Sequence, residues 1–334
     1  MVTPLGPGAE FDLIRTFLQS RMGAAAPWPA HVLVGPGDDC AVLRLSAAAV
    51  SVDMAVEGVH FRREWLAPEE IGYRSAAAAL SDLAAMAAAP RGVLLAVAVP
   101  AGDSPEFITR VVAGAHEAVA HAGTDMVGGD VSRTTGPLVL DFVVLGECPR
   151  PVTRRGALPG DAVWVTGELG AAAAAVRAWE RGQAPVRAAR AAYARPTARI
   201  AEARWLAEQG VLHALIDISD GLAGDAGHLA AASGVRVVLD AGAIPVHPAA
   251  VGEAATPQEA LRLALAGGDD YQLCFTSLPG AVEPLTAAFA REFGVPLTRV
   301  GSITRGAGVA LREADGGEHD VGYGGFDHFR QTAP

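Results

Sequence analysis

Six short acidic motifs, each beside an apolar run, constrain the fold of this chain more than any other feature. They are GPGDD (35–39), SVD (51–53), LSD (80–82), GGD (128–130), DISDG (217–221) and GGDDY (267–271). The apolar runs predict strands and helices, so the carboxylates fall near element ends, where they stabilise a core poorly. They are well placed to hold hard cations such as Mg²⁺, which takes oxygen ligands and bridges to phosphate oxygens. The pattern predicts an α/β protein with metal ligands at strand–helix junctions.

The chain contains no lysine, so its side-chain cations other than histidine are all arginines. A Walker-A phosphate loop and a protein-kinase site both require a lysine, and Schiff-base chemistry requires an amine nucleophile. These three classes are excluded. If the protein handles a nucleotide, it must neutralise phosphate with metal ions, arginine and backbone N–H groups.

Net charge, hydropathy and cysteine content exclude further classes of protein. The formal charge of −11 argues against a nucleic-acid partner, whose footprint is a basic face. No apolar run approaches the roughly 18 residues that predict a membrane span, and the first residues lack a signal-peptide pattern. The three cysteines are far apart and form no CxxC motif, so disulfides and structural zinc are not expected. We expect a cytoplasmic protein with no membrane partner.

The order of predicted elements indicates two α/β halves. The first half has strands and helices at 32–34, 41–45, 50–53, 71–88, 92–99, 105–122 and 138–145. The stretch 146–161 is rich in Pro, Gly and Arg and marks the boundary between predicted domains 1–148 and 149–334. In the second half the elements fall at 162–166, an Ala-rich helix near 171–175, 196–208, 213–217, 222–232, 235–239, 271–276 and 309–312.

Most of the motifs, taken singly, also fit a structural role. GPGDD and GGDDY are compatible with solvated turns, although adjacent carboxylates repel unless a cation offsets them. Ser219 or Asp220 fits a helix N-cap as well as a ligand. Gly128 and Gly129 resemble a phosphate-cradling turn that would let Asp130 hold a metal, but GGD is also an ordinary turn. His60 fits a surface or core position as well as a substrate contact.

Asp82 gives the strongest single indication in the first half. It lies in the almost wholly apolar helical segment LSDLAAMA. A buried carboxylate without a partner costs several kcal/mol or becomes protonated. The sequence therefore demands a metal or an arginine beside it.

Taken in order, the motifs resemble one known family. GPGDDCAVL, DMAVEGVHF, LSDLAAMAAAP, GGDVSRTTGPL, RRGALPGD, IDISDGLAGDAGHL, LAGGDDYQLCFT and GGFDHF, from about Phe11 to Phe329, are similar to the thiamine-monophosphate kinases. These enzymes belong to the superfamily of aminoimidazole ribonucleotide synthetase. The resemblance implies a two-domain α/β fold with mixed sheets, a homodimer built on the N-terminal sheet, and a C-terminal domain that completes the site. It also implies direct in-line transfer from ATP to thiamine monophosphate with several Mg²⁺ ions, and no covalent or acid–base catalyst.

The resemblance also assigns residues. The implied metal ligands are Asp39, Ser51, Val52 (through its carbonyl), Asp53, Asp82, Asp130, Asp217 and Asp220. The implied ATP contacts are Gly128, Gly129, Arg154 and Ser219, and the implied substrate contacts are His60, Asp269 and Phe326.

Three positions depart from the usual family pattern. Asp269 replaces a glutamate, Val52 and Met54 replace threonines, and Phe326 stands where relatives can carry tryptophan. No implied carboxylate ligand is lost. The alternatives are another member of the superfamily (a selenophosphate or aminoimidazole ribonucleotide synthetase, or a hydrogenase-maturation relative), a nonenzymatic sensor of nucleotide or thiamine phosphate, or a metal-dependent phosphatase. The missing lysine and the intact aspartates, glycines and arginine favour the kinase.

Overall fold

The computed structural model describes residues 32–34, 41–43 and 47–322. Within these residues the first half forms a six-stranded sheet in the order β1-β2-β3-β6-β4-β5. All neighbours are antiparallel except β4 and β5, which are joined by a helical crossover. The strands are β1 (Val32–Val34), β2 (Ala41–Leu43), β3 (Ala48–Val56), β4 (Ala89–Pro100), β5 (Met126–Thr134) and β6 (Val139–Glu147).

Helices α1 (Pro68–Ala85) and α2 (Pro105–His121) cover one face of this sheet and pack tightly on each other. A Cβ atom at Gly72 would lie 1.8 Å from the carbonyl oxygen of Val111, so only glycine permits this approach. Strand β6 alternates between buried and half-buried residues, as a sheet with one covered face should. The other face exposes Val52 and Met54, whose side chains are 60 and 50% exposed.

The second half forms a seven-stranded sheet in the order β13-β12-β9-β11-β7-β10-β8, antiparallel except for β9 and β12. Its strands are β7 (Ala162–Thr166), β8 (Ala214–Ile218), β9 (Arg236–Asp240), β10 (Gln272–Ser277), β11 (Leu297–Thr304), β12 (Gly308–Arg312) and β13 (Glu318–Asp320). The helices are α3 (Ala171–Glu180), α4 (Arg187–Ala194), α5 (Ile200–Glu208), α6 (Leu222–Ser233), α7 (Pro248–Glu253), α8 (Pro257–Ala266) and α9 (Thr286–Phe293).

Helix α1 connects the two halves. It packs on the first sheet and also contacts β8 and α5 of the second half. One apolar core accordingly runs from Leu83 and Phe142 in the first half to Trp164 and Leu206 in the second. The side chains that α1 directs toward β8 therefore lie between the two halves.

The predicted mixed α/β class is confirmed, and the differences are local. The GGD motif lies inside strand β5 rather than in a turn. Helix α1 begins at Pro68, which suits the first helical position, and ends at Ala85 because the next strand starts at Ala89. Strands β5, β11 and β13 and four helices (α4, α7, α8 and α9) were not predicted. Among the described residues no helix is both long and apolar enough to cross a membrane.

Candidate active site

A cavity of about 1020 Å³ lies between the two halves and collects most of the predicted site residues. Each half contributes carboxylates to its wall. The predicted residues that line it are Val52, Asp53, His60, Asp82, Arg154, Asp217, Ser219, Asp220 and Asp269.

At one end of the cavity, aspartates from three different elements converge. Asp53 lies on β3, Asp82 on α1 and Asp217 on β8. The Ser51 hydroxyl donates to Oδ2 of Asp82 at 2.5 Å. In the same way, the Ser81 hydroxyl reaches from α1 to Oδ2 of Asp217 at 2.6 Å, and Asp217 is only 4% exposed.

This donor set fits Mg²⁺. Its atoms are carboxylate and hydroxyl oxygens, which hard cations prefer, and they come from both halves of the chain. The pKa of Asp53 is raised to about 6, chiefly by burial and in addition by the carboxylates of Asp141 and Asp269. A backbone hydrogen bond from Met54 and the charge of Arg74 act in the opposite direction. Burial disfavours the ionised form of Asp53, and a cation bound beside it would favour that form.

The turn after β8 is held by a residue that sequence analysis did not single out. Oδ2 of Asp225 accepts from the backbone N–H groups of Ser219 and Asp220, both at 3.1 Å. Burial raises the pKa of Asp225 well above its usual range, and Asp220 and Asp217 add to the effect. Asp225 therefore fixes the backbone of the two predicted ligands.

His228, one turn further along α6, is also buried. Burial lowers its pKa to about 3, with a contribution from Arg154, so the ring is neutral at pH 7. A ligand atom of His228 lies within 4.8 Å of ligand atoms of Asp220 and Asp225. Like Asp82, Asp225 and His228 are polar residues in a largely apolar helical segment, and this sequence signal indicates both of them.

A second part of the cavity wall, which borders Asp53, holds His60 and Asp269. Nδ1 of His60 accepts from the backbone N–H of Val56 at 3.0 Å, so the neutral ring carries its proton on Nε2. Asp269 has φ of +70° and accepts from the Tyr271 hydroxyl at 3.0 Å. Its Oδ1 also lies 2.7 Å from Nη2 of Arg74, a second residue that sequence analysis missed.

Aromatic side chains complete that wall. Trp65 and Trp179 stack with ring centroids 5.1 Å apart and an interplanar angle of 7°. Tyr193 meets both rings edge-on. Trp65 and Tyr193 line the cavity, so the wall around His60 and Asp269 includes aromatic rings.

The remaining predicted residues lie elsewhere. Gly128 lies on β5 beside Gly129 and Asp130. Of the residues whose burial the structure describes, Gly129 and Asp130 do not line the cavity, and the strand register places Asp130 on the opposite face of the sheet from Asp53. A Cβ atom at Gly129 would lie 1.9 Å from the Leu95 carbonyl oxygen, so this glycine allows two strands to approach closely. Ser51 reaches the site through Asp82. Asp39 and Phe326 lie outside the described residues.

Comparison with known proteins identifies the family. The N-terminal domain of AIR synthase related proteins matches residues 37–148, and the C-terminal domain matches residues 159–313. Thiamine-monophosphate kinase of Escherichia coli K12 is 33% identical over 330 residues, which cover 96% of this chain and 98% of the relative. The chain belongs to the thiamine-monophosphate kinase family.

Solved structures of this family share the whole fold. Thiamine-monophosphate kinase from Stenotrophomonas maltophilia K279a is 34% identical, with a TM-score of 0.74 over 93% of this chain and 97% of that one. AaThiL complexed with AMPPCP and TMP is 29% identical, with a TM-score of 0.80 over 96% of this chain and 97% of that one. The kinase family therefore accounts for both halves of the chain and for the cavity between them.

Proposed function

We propose that this chain transfers the γ-phosphoryl group of ATP directly to the phosphate of thiamine monophosphate, giving thiamine diphosphate and ADP. The observation that carries the proposal is the convergence of Asp53, Asp82 and Asp217 from both halves on one cavity. The binding of AMPPCP and TMP by the related AaThiL supports the same pair of substrates. Phosphoryl transfer depends mainly on positioning and charge neutralisation, which suits a site built from carboxylates and arginine.

In this proposal, one part of the cavity binds metal and ATP and the other binds thiamine monophosphate. The aspartates at the metal end hold Mg²⁺, and Arg154 and Ser219 bind the phosphates of ATP. When bound, Mg²⁺ neutralises the phosphate oxygens and aligns donor with acceptor. His60 and Asp269 bind thiamine monophosphate beside the aromatic wall. The proposal keeps Asp39, Ser51, Val52, Asp130 and Asp220 as further metal ligands, Gly128 and Gly129 as ATP contacts, and Phe326 as a substrate contact.

The proposal also covers assembly and location. The face of the first sheet that exposes Val52 and Met54 suits a homodimer interface, because a second copy would remove these side chains from water. We propose that residues 1–148 bind metal and ATP and form this dimer, and that residues 149–334 complete the active site. A cytoplasmic location is part of the same proposal.

The direct test is to incubate the purified protein with ATP, Mg²⁺ and thiamine monophosphate and to separate the products by chromatography. We expect equal amounts of thiamine diphosphate and ADP, and neither product without Mg²⁺. Asp217→Asn, analysed in parallel, should lose the reaction while keeping its far-UV circular dichroism. ADP without thiamine diphosphate would indicate a different acceptor. Free phosphate alone would indicate a phosphatase, and no turnover would favour a sensor.

A further inference from the structure

Arg74 is a buried cation in the wall of the cavity, only 5% exposed. Its Nη1 donates to the backbone carbonyl of Tyr193 at 3.0 Å, and its Nη2 donates to the carbonyl of His60 at 3.2 Å. Nη2 also lies 2.7 Å from Oδ1 of Asp269, and the guanidinium stacks 3.8 Å from the centroid of the Tyr193 ring. Arg74 therefore joins three segments of the cavity wall at one point.

These segments are distant in the sequence and belong to both halves. His60 follows β3, Tyr193 lies in α4, and Asp269 precedes β10. A buried guanidinium is tolerated only when its N–H groups are paired, so the contacts of Arg74 are needed in the folded state. Burial alone would lower the pKa of Arg74, but the charge of Asp269 keeps it above its ordinary value. Arg74 is a permanent cation at the substrate end.

Asp269 depends on this cation for its orientation. Its backbone occupies the left-handed region, which does not itself fix the side chain, and its carboxylate accepts from Tyr271 on one side and meets Arg74 on the other. Without Arg74, the carboxylate of Asp269 would lose its charged partner in the cavity wall.

We propose that Arg74 is a positioning residue for the phosphoryl acceptor. It holds the carboxylate of Asp269 and the backbone of His60 in the arrangement that binds thiamine monophosphate. This inference rests on the proposed function, because it assigns the acceptor to that end of the cavity. The predicted ATP contacts Arg154 and Ser219 are not among the partners of Arg74 described above, so the effect should be confined to the acceptor.

The test compares steady-state kinetics for Arg74→Gln, Arg74→Lys and a control, Arg190→Gln. Arg190 also bridges the two halves, through paired hydrogen bonds of 2.6 Å to Glu70, but it does not line the cavity. Loss of a charged hydrogen bond to the acceptor site should raise KM for thiamine monophosphate about tenfold or more in Arg74→Gln. KM for ATP should change less than about twofold, Arg74→Lys should recover part of the loss, and Arg190→Gln should match the wild type.

A double variant tests whether Arg74 acts through Asp269. If it does, Arg74→Gln combined with Asp269→Asn should be no worse than the more impaired single variant, since neighbours that act as a unit are not additive. Calorimetry of thiamine monophosphate binding in the absence of ATP gives a second measurement, in which Arg74→Gln should bind more weakly than the wild type. If Arg74→Gln does not fold, both measurements are made on Arg74→Lys.

Two results would overturn the inference alone: equal increases in both KM values, or multiplicative losses in the double variant. A wild-type protein that neither binds nor phosphorylates thiamine monophosphate would overturn the proposed function, and the inference with it. These cases are distinguishable, because the first two require an active wild type and the third excludes one.

Discussion

Replacing Ser81 by alanine should destabilise the contact between the two halves of the protein. Ser81 is fully buried on α1, and its hydroxyl donates to Oδ2 of Asp217 on β8 at 2.6 Å. Asp217 is 4% exposed, so water cannot easily replace this donor. A hydrogen bond to a charged group contributes about 1.5–3 kcal/mol, and we expect Ser81→Ala to lower the free energy of unfolding by that amount in Mg²⁺-free buffer.

Ser75 on the same helix provides the matched control. It is also buried, but its hydroxyl donates at 2.8 Å to the backbone carbonyl of Ile71, a neutral group that also accepts the α-helical hydrogen bond. Ser75→Ala should therefore cost less than about 1 kcal/mol. Equilibrium urea denaturation in EDTA measures both variants. Equal losses, or an Ser81→Ala variant as stable as the wild type, would refute the assigned role of the Ser81–Asp217 bond.

Three further outcomes follow from the structure. Gly129→Ala places a Cβ atom 1.9 Å from the Leu95 carbonyl oxygen and should lower the free energy of unfolding by at least about 2 kcal/mol. The control Gly123→Ala, at φ +73° with no atom within 4 Å of the added Cβ, should lower it by less. Equal urea midpoints for the two variants would contradict this expectation. The pKa of Asp53 is about 6 in the folded protein against an ordinary value of 3.8, so the folded state binds this proton more tightly than the unfolded state. In Mg²⁺-free buffer the free energy of unfolding should therefore fall by up to about 3 kcal/mol as the pH rises from 3.8 through 6. Asp53→Asn should lose this pH dependence in urea titrations between pH 4.5 and 7, and parallel profiles would count against it. Asp82→Asn should reduce turnover on the order of 100-fold with an unchanged circular dichroism spectrum, and wild-type initial rates would remove Asp82 from the metal site.

The sequence was sufficient for elements with a strong apolar pattern and insufficient for others. Strands β7 and β8 are buried along their whole length, and their short apolar runs predict them. Strand β5 contains two glycines and several polar residues, which are typical of a turn, yet it pairs with β4 at the edge of the sheet. Strand β11 is likewise broken by polar residues and a glycine, and its place between β9 and β7 supplies the stability that its own pattern does not indicate.

For the candidate site, the sequence identified the groups but not the contacts between them. The sequence predicts a metal or an arginine beside Asp82. In the described residues Asp82 accepts a hydrogen bond from the hydroxyl of Ser51, and the charged partner stays a prediction. The partner of Ser81 is 136 residues away, and no local pattern could indicate it. Arg74 was missed although it lies in the same apolar helix as Asp82 and raises the same question about a buried charge.

Helix α1 contributes to both ends of the cavity, with Arg74 at the substrate end and Asp82 at the metal end. Eight residues of α-helix separate them, a rise of about 12 Å. The length of an α-helix is fixed, unlike that of a loop, so α1 sets the distance between the proposed acceptor site and the proposed metal ligands. A single residue inserted between these positions would turn one of them about 100° away from the cavity, whatever its chemistry. The length of this segment should therefore tolerate less change than the identity of most of its side chains.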